Sequence, residues 1–167
     1  MAGEHRVIEA SRRIGAPAHR IFEILAEPHR HVEFDGSGML RGAVLVRPIS
    51  KVGDTFAVRM HRFGDDYLML NYVVEFEPPR RISWEPAPGD PSRAEDNDPS
   101  KVGIPAGYRW GYSLVPDGDD ATLVTEFFDY GPLPDELIRD GGAPPARPDS
   151  RSVAALRVRS GGGPTSY

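Results

Sequence analysis

The chain has 167 residues, a length that favours one domain with a core large enough to fold alone, and its 39% hydrophobic and 27% charged content is that of an ordinary globule. A net charge of −5 argues against nucleic acid as a partner, because neutralising phosphates requires clustered Lys and Arg. The absence of cysteine excludes disulfides, thiolate chemistry and Cys-based zinc sites.

Residues 1–6 lead into the first strand pattern without an apolar signal core, and no apolar run approaches the ~20 residues of a membrane-spanning helix. These features predict a cytoplasmic protein without a membrane span. No internal repeat is found. Val7, Glu9, Ser11 and Arg13 alternate with Ile8, Ala10, Arg12 and Ile14, the period of two that marks a half-buried strand. Gly15-Ala16-Pro17 breaks it, and Pro17 suits the first position of a helix, where its missing N–H costs nothing. Ile21, Phe22, Ile24 and Leu25 then give residues 17–26 one apolar face. Pro28 ends that helix and opens a second over 28–34, which stops at Asp35-Gly36.

Beyond the Gly36-Ser37-Gly38 hinge the pattern predicts strands at 42–46, 55–63, 67–77 and 80–85. Ser50-Lys51-Val52-Gly53-Asp54, Gly64-Asp65-Asp66 and Pro78-Pro79 separate them, as in an antiparallel meander. Residues 86–106 hold almost no apolar side chains and are predicted as a long exposed loop, a length that is usually functional or disordered. The last hairpin is the clearest. Tyr108, Trp110, Tyr112 and Leu114 share one face, the chain turns over 116–120, and Val124, Glu126 and Phe128 share a face on the return over 122–130. Residues 132–140 could add two turns of helix. Residues 141–167 are too rich in Gly and Pro to bury much surface and are predicted as a weakly ordered or loosely docked tail. The expected organisation is one domain over 1–140 followed by that tail.

Taken in order, Ile14-Gly-Ala-Pro17 leading to Ile21-Phe22, Val52-Gly-Asp54, Glu75-Phe-Glu-Pro-Pro-Arg-Arg-Ile-Ser-Trp84, the 108–116 strand and the 122–126 strand resemble the SRPBCC superfamily. That superfamily includes START domains and polyketide cyclase/dehydrases. His31-Val-Glu-Phe-Asp35-Gly-Ser-Gly38 is similar, more narrowly, to functionally unassigned actinobacterial-type cyclase-like members. The resemblance implies an α+β helix-grip fold: a curved seven-stranded antiparallel sheet with two short helices after the first strand and a C-terminal helical segment. Similar proteins close their cavity with a long C-terminal helix, whereas Pro144-Pro145 and Pro148 forbid a continuous one here. A lid would consist of short pieces at 134–139 and 150–159.

The implied cavity would lie between the sheet and the C-terminal segment. Trp84, Tyr108, Trp110 and Tyr112 would suit a flat apolar ligand there or, equally, fill a core, and Met60 and Met69 belong to the same candidate lining. Arg12 and Glu126 are charges on otherwise apolar faces of strands that the resemblance makes neighbours. They would form an internal ion pair, or Arg12 would hold a ligand carboxylate. Asn71, between Met69 and Val73, could hydrogen-bond a ligand carbonyl. His31 and Asp35, four apart on a helix, could pair as a base dyad or simply fix the turn that follows. His29 and His31 lack the spacing of a metal clip, and no phosphate loop or dinucleotide fingerprint occurs, so neither metal nor cofactor is expected. The expected function is binding of a small hydrophobic or aromatic, lipid- or polyketide-like molecule by a monomer or homodimer. The alternative is a polyketide cyclase, dehydratase or aromatase using His31, Asp35 or Glu126 as acid and base.

Overall fold

A computed structural model describes residues 6–44, 47–94, 97–105, 107–131 and Leu133. Seven antiparallel strands form one curled sheet in the order β1-β7-β6-β5-β4-β3-β2. They are β1 (Val7–Ile14), β2 (Leu40–Ala43), β3 (Thr55–Arg62), β4 (Asp65–Glu77), β5 (Arg81–Pro88), β6 (Arg109–Pro116) and β7 (Thr122–Asp129). Between β1 and β2 lie helix α1 (Ala18–Leu25) and a 3-10 helix, Pro28–Glu33. The α+β, helix-grip-like sheet expected from the sequence is present. Apart from Leu133, the helical signal at 132–140, the tail at 141–167 and the proposed lid pieces fall outside the described residues.

Helix α1 forms where the apolar spacing predicts it, and Ile21, Phe22, Ile24 and Leu25 are all buried. Pro17 precedes the helix with extended backbone and accepts the first helical bonds, from Arg20 and Ile21 N–H, so it caps the helix instead of starting it. The buried Thr122 hydroxyl donates to the Ala16 carbonyl at 2.8 Å and ties the β1–α1 corner to β7. The core lies at this end of the sheet, where α1 meets Phe56, Val73, Ile82, Leu114 and Val124.

Sequence alternation fails at one point inside β4. Val73 pairs with Trp84 and Glu75 with Ser83, so Val74 is an extra residue in a β-bulge. The bulge resets the period, and Phe76, three residues after Val73, again faces the core and packs edge-on against Phe22 at 5.3 Å.

Three expectations are corrected. The β3–β4 turn is Phe63-Gly64, both with positive φ (52° and 86°), while Asp65 and Asp66 belong to β4. The second helix is a 3-10 helix, since six residues that start at Pro28 and run straight into the Asp35 turn have little room to do otherwise. The stretch beyond Glu85 is not simply an exposed loop. Pro86, Ala87 and Pro88 continue β5 against Asn71, Leu70 and Met69, and two short turns follow, capped by Asp90 and Asp98. Prolines are tolerated in this strand because Gly89 N–H points to β4, at Leu68 O, while the Pro88 carbonyl points away, accepting from Gly103. Pro86 and Pro88 therefore turn their missing N–H towards the side that β6 pairing has already left.

Candidate functional site

Continuous with the core, the inner face of the same strands opens into a cavity of about 370 Å³, and Phe56, Trp84 and Tyr112 belong to both. Positions two apart on each strand supply its wall: Met60 and Arg62 on β3, Tyr67, Met69 and Asn71 on β4, Trp84, Pro86 and Pro88 on β5, Trp110 and Tyr112 on β6, and Glu126 and Phe128 on β7. His31, Phe34 and the 35–40 turn close it on the helical side.

Aromatic side chains pack against one another along this wall. His31 stacks on Trp84 with ring centroids 5.4 Å apart and meets Phe56 edge-on at 5.6 Å, while Trp84 also contacts Tyr112 at 6.1 Å. At the other end Phe128 contacts Tyr108 at 5.2 Å and Trp110 at 5.4 Å. Burial pushes the Tyr108 phenol up to about 12.

Three polar groups stand in this apolar setting. The Glu126 carboxylate, 2% exposed, accepts from Trp110 Nε1 at 3.0 Å and from the Tyr112 hydroxyl at 2.9 Å. Burial, reinforced by that neighbouring carboxylate, raises the Tyr112 phenol well above its ordinary value and keeps it a donor. Asn71 is 4% exposed, and its Nδ2 has no hydrogen-bond partner among the described residues. His31 donates from Nε2 to the Leu25 carbonyl at 2.8 Å, since a carbonyl can only accept. Burial lowers its pKa to about 4, so at neutral pH the ring is uncharged and Nδ1 carries the lone pair.

Of the residues singled out by sequence, His31, Asp35, Glu126, Met60, Met69, Asn71, Trp84, Tyr108, Trp110 and Tyr112 converge on this cavity. Arg12 does not. It pairs in register with Val124, but β1 is an edge strand, and the side chain is exposed instead of bridging to buried Glu126. The partners expected for that carboxylate are replaced by an indole and a phenol. The side chains of His31 and Asp35 do not pair either, and the bond between these residues is the backbone one, Asp35 N–H to the His31 carbonyl at 3.1 Å. One Asp35 oxygen accepts from Ser37 N–H and hydroxyl, the other from Leu40 N–H, so this carboxylate holds the turn into β2.

Sequence reasoning missed Phe34, Arg62, Tyr67, Arg93 and Phe128. Arg62, Tyr67 and Phe128 stand two positions from Met60, Met69 and Glu126, so the alternation already held the signal. Arg93 carried none, because only the fold of the 89–94 segment brings it to the cavity. Among the described residues no group of three or more His, Asp or Glu is placed to hold a metal ion, and no helix is long and apolar enough to cross a membrane.

An α+β antiparallel sheet gripping an apolar cavity is thus the class that fold and site define. No family model matches the chain. In sequence it is 33% identical over 129 residues to an uncharacterized protein of Mycobacterium tuberculosis, a match covering 77% of this chain and 49% of that protein. The chain thus spans about half the length of the curated relatives it matches. Among solved structures, a Nitrosomonas europaea protein superposes with a TM-score of 0.61 at 15% identity, covering 92% of each chain. An Arthrobacter aurescens protein gives 0.59 at 13% identity over 93% of this chain and 84% of its own, and a Chromobacterium violaceum protein 0.57 at 18% over 90% and 94%. These likenesses are likenesses of fold.

Proposed function

We propose that this protein binds a small hydrophobic or aromatic molecule in the cavity on the inner face of its sheet, as the resemblance to the SRPBCC superfamily implies. One observation carries the reading: an aromatic- and methionine-lined space of about 370 Å³ with a buried amide, Asn71 Nδ2, that lacks a partner among the described residues. Apolar walls with a few fixed polar groups are the usual make-up of a small-molecule site, and 370 Å³ falls in its lower size range. A donor left unsatisfied in such a wall costs about 1–3 kcal/mol, which a ligand carbonyl at Asn71 would relieve.

The same groups favour carriage over chemistry. A general base works best with a pKa near the operating pH, and His31, at about 4, is far from it. Asp35 is committed to the turn. Should the protein instead act as a cyclase or dehydratase, acid–base work would fall to Glu126 with Tyr112, the carboxylate–phenol pair in the cavity wall.

Titration with Nile red, a neutral apolar dye, tests the binding reading, because Trp84 and Trp110 both face the cavity. Saturable dye binding with quenched tryptophan emission is expected, and Trp110→Ala should weaken it by about 1–3 kcal/mol through lost aromatic contact. A folded protein that takes up no dye would remove the reading.

A further inference from the structure

The cavity is not electrically uniform along its length. Its deep end, at Phe56, Trp84 and His31, is apolar and neutral, whereas its outer end, beside the β3–β4 hairpin, carries two guanidinium groups. Arg62 follows Met60 on the inner face of β3, and Arg93 comes from the turn after β5, with its guanidinium carbon 3.8 Å from the Tyr67 ring centroid. Arg62 stacks in the same manner on Phe63, at 4.7 Å.

In both contacts the guanidinium carbon lies over an aromatic ring, a contact that does not use up the five N–H donors of the group. Among the described residues neither cation has a carboxylate within ion-pairing distance. Of the acidic groups close by in the chain, Asp65 stands opposite Arg62 across the hairpin but forms no ion pair with it, Asp66 accepts from His61 Nδ1 at 2.6 Å, and Asp90, within reach of the Arg93 charge, accepts from Leu68 N–H and from Ser92. In a chain of net charge −5, two guanidinium groups at the end of an apolar cavity, without an ion-pair partner among the described residues, select for an anionic end on what enters.

We infer that the ligand is an amphiphile with a carboxylate, held at the outer end by Arg62 and Arg93 beside Tyr67, with its apolar body directed inward to Trp84. The inference rests on the reading of the cavity as a binding site. The planar fork of arginine matches a carboxylate with two parallel hydrogen bonds, which a lysine could not reproduce.

Three probes with one aromatic body and different ends separate the possibilities: naphthylacetate, naphthylethanol and naphthylethylammonium, titrated calorimetrically. The anion should bind at least about tenfold more tightly than the alcohol, as a charge-assisted hydrogen bond allows, and the ammonium most weakly. In the Arg62→Gln, Arg93→Gln double variant the anion should lose that advantage while the alcohol keeps its affinity, which also reports an intact fold. Equal binding of anion and alcohol by the natural sequence would overturn the inference and leave the cavity reading in place. If none of the three binds, the cavity reading falls and takes this inference with it.

Discussion

His31 shows how one buried side chain makes stability depend on pH. In the unfolded chain its imidazole takes up a proton near the ordinary 6.5, but in the fold only near 4, chiefly because burial disfavours the cation. Between those values the unfolded state holds more protons, so stability is complete above about 6.5 and falls as the pH drops towards 4. The full loss is on the order of 3 kcal/mol. Carboxylates such as Glu75 contribute with the same sign but lower down. Burial raises that group, the bonds from Ser83 and Arg81 more than offset it, and its contribution starts to be lost only as pH falls through the ordinary 4.5. Denaturant unfolding at a series of pH values should therefore show a decline above pH 5 in the wild type that is absent in His31→Gln. Superimposable curves would mean the ring is not buried as described. Glu126 is the second residue to test. Tyr112→Phe removes one of the neutral donors to it and should destabilise by about 1–3 kcal/mol, measured in the same way.

Elements respond to constraints that residue types only partly announce. Phe63 occupies the first central position of the two-residue β3–β4 turn with φ of 52°, where a side chain with Cβ is strained, and it is 86% exposed. Phe63→Asn should raise the unfolding free energy by about 0.5–1 kcal/mol in denaturant titrations, since Asn tolerates this conformation better than Phe. Gly111 on β6 is the converse case. A Cβ there would stand 2.5 Å from Ser83 Cβ and 2.6 Å from both the Ile82 carbonyl and the Phe127 ring, which lies under the Arg81 guanidinium at 4.3 Å. Gly111→Ala should thus cost roughly 1–3 kcal/mol, as overpacking does, and a neutral result would show that β5 and β6 can separate.

These elements also mark what could be read in advance. Strands β1, β3, β6 and β7 declare themselves by alternation that tertiary contacts reinforce. The continuation of β5 through Pro86 and Pro88 does not, because a proline breaks a strand only if its missing N–H faces a neighbour, and pairing on that side ends at Trp84. The bulge at Val74 is hidden for a similar reason: Val73, Val74 and Phe76 are all apolar, and nothing local says which one is skipped. Arg12 misled because its face was right and its strand lay at an edge, a matter of sheet order and not of pattern.

Over the whole molecule, the inner face of one sheet serves two purposes along its length. Each of β3 to β7 begins or ends in the core under α1 and runs out into the cavity wall, so stability and binding are laid out along the strands. Leu25 on α1 is fully buried in the core, and Leu25→Ala should cost about 2–5 kcal/mol through lost burial and the void left behind. Measured per folded molecule, its affinity for an apolar probe should not change. Met69, half-buried on β4, leaves less of a void when truncated because one side already borders open space. Met69→Ala should therefore destabilise by less than Leu25→Ala and yet weaken probe binding. The measurement is unfolding free energy and probe affinity on the same two variants, with ligand kept out of the unfolding experiment because binding alone would raise apparent stability. If Leu25→Ala disturbed binding as much as Met69→Ala did, the sheet would be acting as one compliant surface, with no boundary between the half that folds the chain and the half that holds the ligand.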